Sequence, residues 1–68
     1  MPTGTYTVEG MVCPHCAAAV SAEIGRIPGV TGVRVDLAAG TATVTAERHL
    51  DDGAVRAAVA EAGFRLAP

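Results

Sequence analysis

Apolar and polar residues alternate in three stretches of the chain, and this period of two predicts half-buried β-strands. The stretches cover residues 5–9, 30–37 and 41–45. The turn Ala38-Ala39-Gly40 separates the second stretch from the third, so these two are predicted to form a hairpin. A shorter run over residues 64–66 predicts a last strand. Tyr6 is expected to pack in the core or at the sheet edge, with its hydroxyl bound to water.

Two other stretches have apolar residues three or four positions apart, which is typical of one face of an α-helix. The first helix is predicted to begin at Cys16 and to be stopped by Pro28-Gly29. The second is predicted to start at Leu50-Asp51-Asp52, whose acidic cap and first turn suit the helix dipole, and to end at a left-handed Gly63. The predicted inner faces are Ala17, Val20, Ile24 and Ile27 in the first helix, and Val55, Ala58, Val59 and Ala62 in the second.

The predicted order is strand, helix, strand, strand, helix, strand. Each helix has one apolar stripe and each strand one apolar face. The economical packing is therefore a four-stranded antiparallel sheet with both helices on one face, built by right-handed crossovers from a split βαβ repeat. We expect an α+β fold forming one domain over residues 1–68.

Composition and charge argue against several functions. The net charge is −2 and the five basic residues, all arginines, are dispersed, so no nucleic-acid partner is expected. No apolar run approaches the roughly 20 residues that cross a bilayer, and the N-terminus lacks the features of a signal peptide. Fourteen alanines and nine valines stand against one phenylalanine and one tyrosine, which leaves little material to line a catalytic cavity. We therefore expect a cytoplasmic protein that is not an enzyme.

Both cysteines lie in the loop between the first strand and the first helix, in the sequence Cys13-Pro14-His15-Cys16. Thiols stay reduced in the cytoplasm, where such a pair is more often metal-binding or catalytic than a structural disulfide. Cys16 is expected to have the favoured thiolate, because it lies in the first turn of the helix, and Cys13 to be the more exposed. Two thiolates suit a soft ion such as Cu(I), whereas structural zinc requires four ligands.

Two neighbours of the cysteines leave alternatives open. Met11 is expected to fill the core under the cysteine loop, although a thioether can also bind Cu(I). His15 is expected to be a solvent-facing loop residue, with a role as a minor metal ligand as the alternative.

Cys-Pro-His-Cys also occurs in oxidising enzymes of the thioredoxin fold, so a small thiol–disulfide oxidoreductase is a second class of function. That fold needs a longer chain than this one. His49 is expected to be a surface residue.

The sequence Gly10-Met11-Val12-Cys13-Pro14-His15-Cys16 resembles the GMxCxxC motif of the heavy-metal-associated domain family. This family comprises small copper chaperones and the N-terminal domains of metal-transporting P-type ATPases. The resemblance extends over residues 29–30, 33–37 and 62–64. It implies a ferredoxin-like βαββαβ fold, Cys13 and Cys16 as metal ligands, and Met11 as a buried support. It also implies delivery of Cu(I) to a copper-transporting P-type ATPase by docking and ligand exchange.

Two positions depart from or refine the family pattern. Val12 stands where zinc-selective members often have an acidic residue, which favours Cu(I) over Zn(II). Phe64 stands where copper chaperones often have Lys, Tyr or His, so it can shield the site but cannot donate a hydrogen bond.

A periplasmic mercury-binding branch shares the motif, and Hg(II) fits the same sulfurs. A metal-binding domain excised from an ATPase and a copper-bridged homodimer are further alternatives. Met1 and the short tails favour a free-standing protein.

Overall fold

The computed structural model describes residues 2–67, and its elements follow the predicted order. They are β1 (Thr3–Glu9), α1 (Pro14–Gly25), β2 (Val30–Asp36), β3 (Thr41–Ala46), α2 (Asp52–Glu61) and β4 (Arg65–Leu66). The strands form one four-stranded sheet in the order β2-β3-β1-β4, and all neighbouring strands are antiparallel. This topology confirms the predicted α+β sandwich built from a split βαβ repeat.

The core lies between the sheet and the two helices. The four largest completely buried side chains come two from each helix: Val20, Ile24, Val55 and Val59. From the sheet, β3 contributes the alternating residues Ala42, Val44 and Ala46, all buried as the period of two predicted. Met11 joins this core although it belongs to a loop, because only 2% of its surface is exposed.

Several element boundaries differ from the prediction, most clearly those of α1 and the end of β2. Helix α1 begins at Pro14, two residues before the first position of the apolar pattern, and ends at Gly25, so Ile27 packs against the core from beyond the helix. Strand β2 ends at Asp36, which leaves Leu37 in the turn and 36% exposed instead of on the inner face of the strand. Apolar periodicity locates an element well, but its end depends on local hydrogen bonds.

The second helix spans Asp52–Glu61, close to its predicted start and stop. The Asp51 carboxylate caps it by accepting a hydrogen bond from the Gly53 amide, with Oδ1 3.2 Å from the nitrogen. Gly63 follows the helix with φ at +93°, in the left-handed region that favours glycine. One prediction nearby is wrong: the Tyr6 hydroxyl does not rely on water, because it donates a hydrogen bond to Asp52 at 3.3 Å.

No helix within residues 2–67 is long and apolar enough to cross a membrane.

Candidate metal site

The loop that carries the cysteines starts where β1 ends, at Gly10. Gly10 adopts φ of +84°, which turns the chain away from the strand. The next two side chains then point in opposite ways: Met11 is buried in the core, whereas Val12 is 83% exposed. The loop is therefore anchored from below by Met11 and presents an apolar side chain to solvent directly beside Cys13.

Cys13 is the N-cap of α1. Its backbone is extended, with φ of −138° and ψ of 159°, and its Sγ accepts a hydrogen bond from the Cys16 amide at 3.3 Å. Pro14 occupies the first helical position, where a missing amide proton costs nothing. The Cys13 carbonyl accepts the first helical bond, from the Ala17 amide at 3.0 Å. Cys13 thus takes the place that Ser, Asp or Asn usually has at a helix start.

The two thiol groups lie together at this helix start. Their Sγ atoms are 2.8 Å apart, both cysteines are half-buried, and neither forms a disulfide. Cys16 is the third residue of the helix, so its side chain returns toward the cap. The turn of the chain between the two cysteines therefore brings both sulfurs to one point.

The electrostatics of the pair reverse the sequence-based expectation for Cys16. The hydrogen bond from the Cys16 thiol lowers the pKa of Cys13, and the Cys16 amide bonded to the Cys13 sulfur lowers it further. The pKa of Cys16 is raised, because it donates that hydrogen bond, because it is partly desolvated, and because the Cys13 charge opposes a second charge. The favoured thiolate is therefore Cys13, because the sulfur of this capping residue accepts the hydrogen bond from the Cys16 amide.

Phe64 lies next to Gly10, the first residue of the cysteine loop. A side-chain carbon placed on Gly10 would sit 3.4 Å from Cδ1 of Phe64, so the ring covers the backbone at Gly10. Glu9 and Arg65, the residues that precede Gly10 and follow Phe64, form an ion pair at 2.6 Å across β1 and β4. The structure thus brings Phe64 to the base of the cysteine loop, where it supports the backbone.

The two histidines are not brought together. His15 is exposed at the second position of α1, beside the cysteines. His49 is also exposed, as predicted, but it lies in the loop before α2, at the opposite end of the sheet. Among residues 2–67 no group of three or more His, Cys, Asp or Glu side chains is placed to hold a metal ion. The candidate donor set is therefore the two sulfurs.

Sequence reasoning missed the capping role of Cys13. The available signal was Pro14, because proline is enriched at the first position of a helix and so marks the preceding residue as the cap. The exposure of Val12 was likewise not foreseen, since a β-branched residue between Met11 and Cys13 fits either face of a loop.

Two thiolates at a loop can hold one soft metal ion. Sulfur–zinc bonds are about 2.3 Å long, so two sulfurs bound to one ion of this size lie about 3.7 Å apart at a tetrahedral angle and about 4.6 Å apart when they are on opposite sides of it. The pair must therefore open somewhat from 2.8 Å as an ion enters. Structural zinc sites have four protein ligands, and two sulfurs alone do not complete such a site. The donor set suits an ion that is stable with few sulfur ligands, such as Cu(I).

Comparison with known proteins identifies the family of this chain. The model of the heavy-metal-associated domain matches residues 5–65. The copper chaperone CopZ of Bacillus subtilis is 44% identical over 45 residues, which are 66% of this chain and 65% of that protein. Copper-transporting ATPase 1 of Rhizobium meliloti is 36% identical over 59 residues, 87% of this chain and 7% of the ATPase. Mercuric reductase of Shigella flexneri is 36% identical over 61 residues, 90% of this chain and 11% of the reductase.

A solved structure, the CopZ metallochaperone, superimposes with a TM-score of 0.89 at 28% identity. The superposition covers 97% of this chain and 100% of that one. The ferredoxin-like fold implied by the GMxCxxC motif is thereby confirmed.

Proposed function

The chain belongs to the heavy-metal-associated domain family, and from this premise we propose that it is a cytoplasmic Cu(I)-binding metallochaperone. Cys13 and Cys16 bind one ion and pass it to the metal-binding domain of a copper-transporting P-type ATPase. The observation that carries the proposal is the pair of free thiols, 2.8 Å apart at the start of a helix and next to an exposed apolar residue. The ion is cargo, so no catalytic residue and no bound cofactor is assigned.

Binding begins at Cys13 in this proposal. Its lowered pKa makes it the first thiolate available to an incoming ion, and Cys16 then loses its proton as the second sulfur–metal bond forms. The positive ion replaces the proton that the two sulfurs share. Because both ligands must be deprotonated, the affinity for Cu(I) is expected to fall as the pH is lowered.

Release follows from the low coordination of the ion. A thiolate from a partner forms a third sulfur–metal bond, after which one cysteine of this chain leaves the ion and takes up a proton. The copper is never free in solution during this exchange. Val12, which adjoins Cys13 and is 83% exposed, gives a partner domain an apolar contact next to the site. The similarity to a region of copper-transporting ATPase 1 supports a partner of the same family.

Cu(I) is preferred to Zn(II) because the loop has no oxygen ligand: Val12 precedes Cys13 where an acidic residue would supply one. Hg(II) is the second candidate, since it needs only two sulfurs and mercuric reductase contains a region similar to this chain. In that case the chain would carry mercury instead of copper. The same two cysteines, Cys13 and Cys16, would bind Hg(II) in the same fold.

The test is an anaerobic titration of the reduced protein with Cu(I) against a chromogenic Cu(I) chelator, repeated with excess Zn(II) and with Hg(II). We expect one Cu(I) per chain, retained in excess Zn(II). Cys13→Ser and Cys16→Ser should each abolish tight binding while the circular dichroism spectrum stays unchanged. Loss of all copper to a chelator of moderate affinity would refute the chaperone proposal.

A parallel assay addresses the oxidoreductase alternative. The reduced protein is incubated with insulin and a thiol reductant, and turnover of insulin disulfides is followed by turbidity. We expect no rate above that of the reductant alone. Catalytic turnover that disappears in Cys13→Ser would replace metal transfer by disulfide exchange as the function.

A further inference from the structure

Strand β2 is an open edge of the sheet. The order β2-β3-β1-β4 leaves its outer side without a neighbour among the strands of residues 2–67. The register shift between Val30 and Gly32 disturbs the start of the strand, whereas residues 33–36 pair regularly with β3. The second half of β2 is therefore regularly paired on its inner side and unpaired on its outer side, which makes it a template for another strand.

The hydrogen bonds around β3 identify which backbone groups on that edge are free. The Ala46 amide bonds to Pro2, so the even-numbered residues of β3 face β1 and the odd-numbered ones face β2. Thr41 and Thr43 oppose Asp36 and Arg34 in the register, so these two β2 residues direct their amides and carbonyls toward β3. Val33 and Val35 direct theirs outward.

The side chains along this edge are incompletely covered. Val33 and Val35 belong to the helix-covered face but are only half-buried. Leu37, the next residue in the alternation, is 36% exposed and is one of two large apolar side chains exposed in the described part of the chain. The edge thus combines free backbone groups with apolar surface that a second strand would cover.

We propose that two copies of this chain associate through antiparallel pairing of their β2 edges, with the two-fold axis at Val35. Val35 then lies opposite its own copy and exchanges both backbone hydrogen bonds with it. On the helix-covered face, Val33 lies opposite the Leu37 position of the second copy. On the outer face, Arg34 lies opposite the second copy's Asp36, and Asp36 opposite the second copy's Arg34.

Charge selects this register over its neighbours. An axis at Arg34 would place two arginines directly opposite each other, which is destabilising. An axis at Val33 would pair the regular half of β2 with the irregular residues 30–32 and leave both charges without a partner. Within residues 2–67, neither Arg34 nor Asp36 forms an ion pair in its own chain. The Asp36 carboxylate accepts a hydrogen bond from the Ala39 amide through Oδ1, at 3.2 Å, which leaves Oδ2 for a cross-strand pair with Arg34 of the second copy.

The proposed dimer leaves both metal sites open. The cysteine loop follows β1, two strands inward from β2 and hence about 10 Å from the edge. Antiparallel pairing directs the two cysteine loops to opposite ends of the joined sheet. This dimer therefore forms without metal and holds one ion per chain, unlike a copper-bridged dimer. With so short an overlap the interface is small, so we expect a dissociation constant of about 0.1–1 mM.

The test uses the full chain, reduced and free of metal, in sedimentation equilibrium at up to about 2 mM. Arg34→Asp should raise the dissociation constant at least tenfold, because aspartates then oppose each other twice. The double variant Arg34→Asp with Asp36→Arg should restore it to within threefold. Arg56→Asp, which changes the charge by the same amount on exposed α2, is the matched control and should leave dimerisation unchanged.

A second readout follows the free amides. Hydrogen exchange measured by NMR should slow at Val33 and Val35 as the protein concentration rises, and Arg34→Asp should abolish that effect. Circular dichroism confirms that each variant is folded. A monomer at 2 mM without concentration-dependent exchange would overturn the proposal. So would a dimer that Arg34→Asp leaves intact, or a dimer that forms only with Cu(I) and is lost in Cys13→Ser.

Discussion

Replacing Met11 separates its two candidate roles, a core residue under the cysteine loop and a thioether ligand. Its side chain is 2% exposed and belongs to the core cluster. Met11→Ala removes three heavy atoms, and at about 0.8 kcal/mol per buried methylene the lost transfer free energy is about 2.4 kcal/mol. The cavity left behind adds to this, so we expect the free energy of unfolding to fall by about 2–5 kcal/mol.

This loss is large for a chain of 68 residues, whose total stability is about 3–10 kcal/mol by the usual value per residue. In a domain of this size each kcal/mol corresponds to about 4–8 °C in Tm, so Met11→Ala should melt at least about 8 °C lower. Met11→Leu conserves volume and should cost less than about 1.5 kcal/mol. Met11→Leu should therefore remain folded, so that its affinity for Cu(I) shows whether the thioether binds the metal.

The assay is urea unfolding of the metal-free reduced protein, followed by Cu(I) competition with a chelator. We expect Met11→Leu to bind Cu(I) within about threefold of the parent, because the proposed ligands are the sulfurs of Cys13 and Cys16. A stable Met11→Leu that loses more than tenfold in affinity would make the thioether a ligand. A loss below about 1 kcal/mol in Met11→Ala would show that the loop is not anchored through this side chain.

Four further predictions concern the loop. As the pH is raised, thiolate absorbance should increase in two steps, the first below and the second above the ordinary thiol pKa. In Cys13→Ser one step should remain, at a lower pH than the second step of the parent, because the charge on Cys13 no longer opposes ionisation of Cys16. A single step shared by both thiols in the parent would contradict the hydrogen-bonded pair. Gly10→Ala should cost about 1–3 kcal/mol in urea unfolding, since φ is +84° and the new carbon meets Phe64; an unchanged midpoint would refute this. His15→Ala should change Cu(I) affinity less than about tenfold, with His49→Ala as control, and a larger loss would make His15 a ligand. Val12→Ser should slow copper transfer to the matching region of the Rhizobium meliloti ATPase 1 several-fold without changing chelator competition; equal rates would remove Val12 from the docking surface.

Much of the fold followed from patterns that act within a few residues. Alternation placed β3 and its inner side chains correctly, because a strand with one buried face must alternate. Gly63 marked the end of α2 because only glycine adopts its backbone angles without strain. The two cysteines and the loop that carries them were identified the same way, from a strand, a break and a helix in succession.

Features that depend on contacts between distant residues could not be predicted in this way. The hydrogen bond from Tyr6 to Asp52 and the contact of Phe64 with Gly10 join residues more than forty positions apart. No local pattern contains such pairs. The favoured thiolate is a different case: it was expected at Cys16, whereas Cys13 is the helix cap with the lowered pKa, and Pro14 was the local signal for that cap.

The sequence by itself determined the order of the elements, the core faces of β3 and α2, and the pair of sulfurs, because each depends on spacing along the chain. Only the tertiary structure decided that Tyr6 bonds to Asp52, that Phe64 lies against Gly10, and that the edge of β2 keeps free amides beside Arg34 and Asp36. The physical reason is that hydrogen bonds and burial are shared between segments. Their outcome depends on the neighbour that the fold supplies, and spacing within one segment does not specify that neighbour.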